Sequence, residues 1–270
     1  MERRISPLIS SDCVPFFIMK KLLIYTAASG IYLDYAPLFT YMVKSQYPEY
    51  DVDVTKIVSP PATYSAACYR LLVNPAEMTG HEYVYITDVD MMILREEPGI
   101  LEFHTAEMES TGLCYSNSIR KKHSEPQGDD RMTGLHFATA EWYRRTQDVR
   151  SRYFHAVDSG EFGNGRFDDE LILKSVCEKS GVGIPRRFPL IARHHGIHLG
   201  TIRGYINHTR ETMKHQLRYR INPAKARQWI AMHEDKRFRE ICRLTAEKNR
   251  VIGKELEILY TFCMGLRNEK

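Results

Sequence analysis

The chain has 270 residues, of which 43% are hydrophobic and 27% charged, and its formal net charge at pH 7 is +4. This length and composition are typical of a globular protein with one good core or two small ones. The chain is mildly basic but carries no nucleic-acid-reading motif, so nucleic acid is not expected as a partner. The six cysteines include no Cys-x-x-Cys pair, which argues against a zinc ribbon and favours reduced, mostly buried thiols.

No membrane or secretion signal is expected in the N-terminal residues. No segment of the chain reaches the roughly 20 apolar residues of a membrane span, and the apolar run at 14–19 is too short for a signal-peptide core. We therefore expect a cytoplasmic protein. Met19 directly precedes the first candidate strand, so residues 1–18 are interpreted as an extension outside the core fold.

The first candidate elements alternate between strands and helices. An apolar strand is predicted at 22–26, a loop of small residues at 27–30, a helix at 33–46 and a short strand at 52–54. A small-residue loop after the first strand lets a ligand approach the backbone closely. The loop lacks the Gly-x-Gly-x-x-Gly pattern of dinucleotide-binding folds. The strand-helix-strand order predicts a parallel α/β sheet.

The stretch from 83 to 94 is the most informative one, an apolar and β-branched run interrupted only by Thr-Asp-Val-Asp. Such a run predicts a buried strand, and alternation places Asp88 and Asp90 on one face of it. Buried carboxylates need a compensating charge, and hard oxygen ligands suit Mg²⁺ or Mn²⁺. The alternative is a strand end with two solvated aspartates.

An apolar strand that ends in Asp-x-Asp resembles the metal motif of the GT-A glycosyltransferases. In that family the two aspartates hold a divalent ion, and the ion holds the diphosphate of a nucleotide sugar, most often a UDP-sugar. Before this strand, the Arg70-Leu71 pair on a predicted helix at 64–72 resembles the Arg-Leu pair of glycogenin-like enzymes and bacterial galactosyltransferases; the alternative for Arg70 is a surface charge. The resemblance implies a set of donor-binding residues: Tyr25, Thr26, Ala27, Tyr32, Arg70, Thr87, Asp88, Gly134 and Arg203.

Two later stretches resemble the same enzymes. A strand at 132–139 with Gly134 precedes a helix near Trp142, as in retaining GT-A enzymes, although Met132 stands where Asn is usual. A Gly-rich loop at 163–167 leads into Asp-Asp-Glu at a helix start, similar to the blood-group transferases and to Asp-Gln-Asp of the glycogenin-like family. This implies Glu170 at the nucleophile position and Asp169 on acceptor or sugar hydroxyls. Acids in a first helical turn are also favoured by the helix dipole alone.

Three histidines lie within the five residues from 194 to 198. Neutral imidazole readily completes a Mn²⁺ shell. The order His198, Gly200, Arg203 is similar to the His-x-x-Gly-x-x-Lys motif of glycogenin-like enzymes but one residue shorter before the Gly. The metal ligand is therefore His198 or His195, unless these are structural histidines. Arg203 would clamp the leaving diphosphate bidentately.

Two basic or polar stretches remain. The polar loop at 117–131 is interpreted as a lid or acceptor site. Residues 208–254 carry 13 Lys or Arg against 5 Asp or Glu. They predict a helix that opens at Asn222-Pro223 and has one apolar stripe through Trp229, Phe238 and Leu244, then another helix at 245–262. These helices either close the domain or dock on an anionic membrane or a lipid-linked acceptor.

The four motifs follow the family's order over residues 22 to about 203. We therefore predict an α/β protein with a GT-A (nucleotide-diphospho-sugar transferase) fold: a single mixed, mostly parallel sheet flanked by helices. The predicted segments are an extension at 1–18, a catalytic domain at 19–207 and a basic helical segment at 208–270. The predicted activity is transfer of a sugar from a nucleotide sugar to a glycan, lipid-linked or protein acceptor. Retention is favoured, and inversion with Asp169 as base is the alternative.

Activities of other classes fit less well. A haloacid-dehalogenase-like phosphatase would use Asp88 as nucleophile, but it normally has Thr or Val where Met92 stands, and its Asp-x-Asp strand usually comes first in the fold. A nucleotidyltransferase needs a Gly-rich activation loop with Arg and Lys, which residues 27–30 lack. A non-catalytic nucleotide-sugar binder is the remaining alternative.

Overall fold

The computed structural model describes residues 20–58, 65–120, 131–161, 169–184, 195–205 and 210–267. Four predicted features lie outside these ranges. They are the extension at 1–18, the middle of the polar loop at 121–130, the Gly-rich loop at 163–167 with Asp168, and His194.

The described strands are β1 Lys20–Ser29, β2 Asp51–Ile57, β3 His81–Ile86, β4 Met91–Ile93, β5 Tyr115–Ser116, β6 Ile119–Arg120, β7 Arg131–Met132, β8 His136–Thr139 and β9 Gly196–His198. The described helices are α1 Ala36–Gln46, α2 Ser65–Leu72, α3 Ile100–Thr111, α4 Ala140–Asp158, α5 Asp169–Lys179, α6 Leu199–Tyr205, α7 Arg210–Arg220, α8 Pro223–Met232, α9 Lys236–Lys248 and α10 Arg250–Arg267. A 3-10 helix at Gly30–Tyr35 connects β1 to α1. None of these helices combines the length and the apolarity needed to cross a bilayer.

The main sheet has five strands in the order β2-β1-β3-β8-β5. β1 is parallel to both β2 and β3, whereas β8 is antiparallel to β3 and to β5. Two small antiparallel ladders, β4-β9 and β6-β7, accompany it. The mixed sheet flanked by helices confirms the predicted α/β class.

Helices cover both faces of the sheet, and β1 is apolar on both faces for that reason. Leu22 and Ile24 belong to the core cluster that includes residues of α1 and the C-terminal helices. Leu23 and Tyr25 belong to the cluster that includes residues of α2, α4 and α5. The carboxyl end of β1 therefore lies between two packed layers, a position at which open α/β sheets usually bind ligands.

The C-terminal helices share the first of these two cores. Trp229, Phe238 and Leu259 are fully buried in the cluster that also contains Ile24 and Phe39. Their basic residues therefore belong to helices whose apolar side is already packed. The division of the chain at residue 207 stays a prediction.

The prediction of a single continuous strand over 83–94 is wrong. β3 ends at Ile86, and β4 begins at Met91 in a different ladder. Asp88 and Asp90 lie in the turn between them, where the Met91 amide donates a hydrogen bond to the Asp88 carbonyl at 3.1 Å. The turn could not be predicted from the sequence, because the buried strands on both sides of it together form one continuous apolar run.

Strand and helix ends differ elsewhere as well. β1 continues to Ser29 through the predicted small-residue loop, because its pairing with β2 extends to Ile57. Thr111 ends α3, and the short β5 follows at Tyr115–Ser116. The ends of the predicted loop at 117–131 pair as β6 and β7.

The predicted single stripe in the basic tail is divided between two helices. α8 ends at Met232, and Asp235 caps α9 by accepting a hydrogen bond from the Arg237 amide at 2.7 Å. Leu244 is 51% exposed and lies outside the stripe. The helix predicted at 245–262 begins at Arg250. A capping aspartate inside an otherwise helical pattern is the signal for this break.

Candidate active site

Asp88 and Asp90 lie at the carboxyl ends of β1 and β3. The Thr87 amide donates to the Tyr25 carbonyl at 3.0 Å, which continues the pairing of the two strands up to the turn. The Asp90 side chain is buried at 6% exposure, whereas that of Asp88 is 29% exposed. The turn thus presents two carboxylates of different accessibility at the edge of the sheet.

β9 brings His198 to these carboxylates. It pairs antiparallel with β4 so that Met91 lies opposite His198, and the Leu199 amide donates to the Asp90 carbonyl at 3.0 Å. His198 Nε2 lies 3.0 Å from Asp90 Oδ1 and 3.9 Å from Asp88 Oδ2. One ligand atom from each of the three side chains lies within 4.8 Å of the others.

His195 lies away from this cluster. Its side chain is fully buried, and its ring centroid is 5.3 Å from His104, 5.6 Å from Phe103 and 6.1 Å from Tyr85. The ring is therefore part of an aromatic group in the core. Of the two histidines that the sequence left open, the structure places His198 with the aspartates.

The three side chains fit a divalent cation such as Mn²⁺ or Mg²⁺. Two carboxylates and one imidazole form a donor set suited to Mn²⁺. Gly200 leaves room beside them, since a Cβ atom there would lie 2.8 Å from both Asp90 Oδ2 and His198 Nε2. A side chain at position 200 would therefore crowd two of the three candidate ligand residues.

The electrostatics of His198 also favour positive charge. Burial disfavours the charged ring, but the hydrogen bond to Asp90 and the charges of Asp90 and Asp88 outweigh burial and raise the pKa of His198 above its usual value. Proton and metal compete for the same imidazole nitrogen. The carboxylates thus attract a cation of either kind.

Arg70, on α2, joins the metal-ligand candidates to α5. Its Nη1 pairs with Asp88, and its Nη2 lies 2.9 Å from Asp169 Oδ2. The side chain is only 4% exposed, so it is not a surface charge. Burial opposes the charged guanidinium, but the two carboxylates prevail and raise the pKa of Arg70.

The two acids at the start of α5 have different neighbours. Asp169 pairs with Arg70, whereas Glu170 Oε2 lies 3.7 Å from Arg131 Nη1, with both of those side chains largely buried. Gly134 lies close to the first pair, because a Cβ atom there would be 2.7 Å from Arg70 Nη2 and 3.5 Å from Asp169 Oδ2. Asp169 is therefore the acid that is linked to the Asp88 side of the cluster.

Arg203, at the other end of the cluster, lies against Asp90. Its Nη2 is 3.2 Å from Asp90 Oδ2, and its guanidinium carbon lies 5.1 Å from the centre of the Tyr32 ring. Its Nε donates to Glu255 Oε1 at 2.7 Å. Burial disfavours the charged form of Arg203. The hydrogen bond to Glu255 and the negative charge of Glu255 outweigh burial and raise the pKa of Arg203.

The remaining predicted donor-binding residues divide into two groups. Ala27 and Tyr32 line a cleft of about 550 Å³. Tyr25 and Thr26 on β1 and Thr87 just after β3 are fully buried. Burial is the main reason that the pKa of Tyr25 is raised to about 12. The other residues of interest that line the cleft are Arg70, Asp88, Asp90, His198, Gly200 and Arg203.

Sequence reasoning missed the residues that hold β9 in place. Gly196 has a φ of +135°, and a Cβ atom there would lie 2.0 Å from the Met92 carbonyl oxygen. Its amide donates to Glu96 Oε1 at 2.8 Å, and its carbonyl accepts from Lys225 Nζ at 2.9 Å. A glycine at position 196 can be noted in the sequence as a candidate for an unusual backbone conformation. No local pattern, however, connects Gly196 with Lys225 on α8.

Sequence comparisons and structural comparisons give different results. No protein-family model matches the chain, and no curated protein does either. Among solved structures, it is similar to the glycosyltransferase GlyE of Streptococcus pneumoniae TIGR4, with a TM-score of 0.42 and 11% identity over 76% of this chain and 52% of that one. The apo form of GlyE gives a TM-score of 0.38 and 12% identity over 75% and 51% of the two chains. The chain thus spans about half the length of these structures.

Proposed function

We propose that this protein is a metal-dependent glycosyltransferase that takes a sugar from a nucleoside diphosphate sugar, with a UDP-sugar favoured. The observation that carries the proposal is the convergence of Asp88, Asp90 and His198 in one cleft with two guanidinium groups. The resemblance of four motifs to GT-A enzymes supports it further. The acceptor would be a hydroxyl group of a glycan, a lipid-linked glycan or a protein.

The chemistry follows from where charge develops. Negative charge collects on the leaving diphosphate as the bond from the anomeric carbon to phosphate breaks through an oxocarbenium-like state. Mn²⁺ or Mg²⁺ held by Asp88, Asp90 and His198 would supply positive charge to that diphosphate. Arg203, at 28% exposure on the cleft wall, would bind its oxygens through charge-assisted hydrogen bonds.

Of the two acids on α5, we place Asp169 beside the reacting carbon. It shares Arg70 with Asp88 and lies close to Gly134, whereas Glu170 is paired with Arg131. In a retaining reaction Asp169 would stabilise the oxocarbenium-like carbon, and in an inverting one it would accept the acceptor's proton. Glu170 as nucleophile is the alternative, and we favour retention.

The phosphatase alternative is disfavoured by the position of Asp88 in the fold. The Asp-x-Asp strand of that phosphatase family usually comes first, whereas Asp88 follows β3, after β1 and β2. Membrane contact through residues 208–254 and a cytoplasmic location stay predictions.

A thermal-shift panel tests the proposed function. Nucleoside diphosphates and their sugars are added with and without Mn²⁺, because a ligand that binds only the native state raises the melting temperature. We expect a Mn²⁺-dependent shift with one nucleoside diphosphate that disappears in Asp90→Asn and persists in Asp148→Asn, a change of an exposed aspartate on α4. No shift with any nucleotide, together with turnover of a simple phosphate ester, would favour the phosphatase.

The roles of the two acids are separated by release of nucleoside diphosphate from the donor that the panel identifies. We expect Asp169→Asn to slow release about 100-fold and Glu170→Gln by less than about tenfold. Mn²⁺ affinity is measured for both variants, since Asp169 also neutralises Arg70. The opposite ranking of the two variants would assign the reacting carbon to Glu170.

A further inference from the structure

Glu255 is a fully buried carboxylate that reaches the site from α10. Its side chain is 0% exposed, its Oε1 accepts from Arg203 Nε at 2.7 Å, and its Oε2 accepts from the Tyr35 hydroxyl at 2.5 Å. A buried carboxylate is costly unless it is paired and hydrogen-bonded. Both oxygens of Glu255 are therefore used, one by Arg203 of the cleft wall and one by the buried Tyr35.

Arg203 is held on several sides by this arrangement. Its Nη1 donates to the Tyr32 hydroxyl at 2.8 Å, and its Nη2 donates to the Tyr35 hydroxyl at 2.5 Å. The guanidinium carbon lies 5.1 and 5.6 Å from the centres of these two rings. The Nε edge thus contacts the buried Glu255, and the Nη2 nitrogen approaches Asp90 in the cleft.

We infer that Glu255 is a positioning residue for Arg203 and that α10 is therefore part of the active site. A guanidinium is a planar fork, so a carboxylate on its Nε edge sets the direction of the two Nη groups. Glu255 orients Arg203 without touching the cleft itself. The inference rests on the proposed function for the identity of the bound diphosphate, but the orientation of Arg203 is independent of it.

Charge balance gives Glu255 a second role. Asp88, Asp90, Asp169 and Glu255 contribute four carboxylates around the guanidinium groups of Arg70 and Arg203. The surplus of two negative charges matches a divalent cation. Without the Glu255 charge, Arg203 would depend more strongly on Asp90 and would compete with the metal for that ligand.

The first test needs no ligand. Phenylglyoxal modifies accessible arginines, and peptide mass spectrometry follows the modification of Arg203, with the exposed Arg145 as internal reference. We expect Glu255→Gln to speed the modification of Arg203 about tenfold, because a charge-assisted hydrogen bond is lost. The matched control is Glu257→Gln, which changes an exposed acid two residues along the same helix and should leave the rate unchanged.

The second test measures Mn²⁺ affinity by calorimetry, with and without uridine diphosphate. We expect Glu255→Gln to weaken Mn²⁺ binding about tenfold, and Glu257→Gln to leave it unchanged. In the Arg203→Gln background, which already lacks the guanidinium charge, Glu255→Gln should add little, since the two residues act as one unit. Additive losses in the double variant would overturn the inference.

Tyr35→Phe provides a milder variant if Glu255→Gln does not fold. It removes the hydroxyl that joins Glu255 to Arg203 and should speed modification of Arg203 about threefold. An unchanged modification rate in a folded Glu255→Gln protein, or in Tyr35→Phe when that one is used, would show that Glu255 only supports the core. If the wild-type protein binds neither Mn²⁺ nor the diphosphate, the proposed function fails, and the reactivity of Arg203 still decides the inference.

Discussion

The two arginines of the cleft differ in which member of their ion pairs is buried: the cation on one side and the anion on the other. Arg70 is 4% exposed, and its partners Asp88 and Asp169 are 29% and 21% exposed. Arg203 is 28% exposed, and its partner Glu255 is 0% exposed. On the Arg70 side the acid Asp88 is the more exposed residue of the cleft wall, whereas on the Arg203 side the cation is the more exposed one.

This difference indicates which charge each side offers to a ligand. A buried partner fixes the geometry, and the more exposed member is left to contact what enters the cleft. The Arg70 side therefore presents carboxylates suited to a metal, and the Arg203 side presents a guanidinium suited to phosphate oxygens. This division of charge supports the proposed metal-diphosphate ligand.

The largest effect is expected when the Arg70 side loses its cation. Arg70→Met leaves two partly buried carboxylates without their neutralising partner and should lower the free energy of unfolding by about 3 kcal/mol. Urea denaturation measures this loss. Arg145→Met is the control, because its pair with Glu141 is exposed and worth less than about 1 kcal/mol. Equal losses in both variants would mean that solvent screens Arg70 as well.

Gly200→Ala should act on the metal without large changes in the fold. The added methyl group would lie 2.8 Å from Asp90 Oδ2 and His198 Nε2, so we expect Mn²⁺ affinity to fall about 100-fold, or about 2.7 kcal/mol. Calorimetry measures the affinity. Gly265→Ala on α10 is the control, since among the described residues no atom beyond its chain neighbours and the local helix backbone lies within 4 Å of the added group. Unchanged Mn²⁺ binding in Gly200→Ala would place the metal elsewhere.

The smallest effect is expected on the Arg203 side, from Tyr32→Phe. The change keeps the ring and removes the hydroxyl that accepts from Arg203 Nη1 at 2.8 Å. We expect about fivefold weaker binding of uridine diphosphate in the presence of Mn²⁺, because one hydrogen bond that orients Arg203 is lost. Tyr260→Phe, at the same 38% exposure on α10, is the matched control. Equal affinities for both variants would assign the orientation of Arg203 to its other partners, Glu255, Tyr35 and Asp90.

Much of the fold and part of the site followed from local patterns. Apolar runs and helical spacing predicted β1, α1, β2 and α2, because burial on one or two faces leaves a period in the sequence. The chemical roles expected of Asp88, Asp90 and Arg70 followed from their residue types and from the motifs in which they occur. The turn between β3 and β4 was not predictable in the same way, since buried residues on both sides of it remove the contrast that marks a turn.

Long-range pairing decided the rest of the site. His195 and His198 are equivalent by residue type, and only the register of β9 against β4 places His198 beside the carboxylates. Glu255 resembles any acid on an amphipathic helix, and it reaches Arg203 only because the apolar side of α10 packs into the same core as β1.

The sequence by itself determined the α/β class, the pair of aspartates after an apolar run and the chemical types that the proposed metal-diphosphate ligand would require. The tertiary structure decided which histidine joins the aspartates, that Arg70 links Asp88 to Asp169, and that the C-terminal helix supplies a buried carboxylate. The physical reason is that periodicity records burial along the chain, whereas the pairing of charges 52 and 99 residues apart depends on how the layers pack.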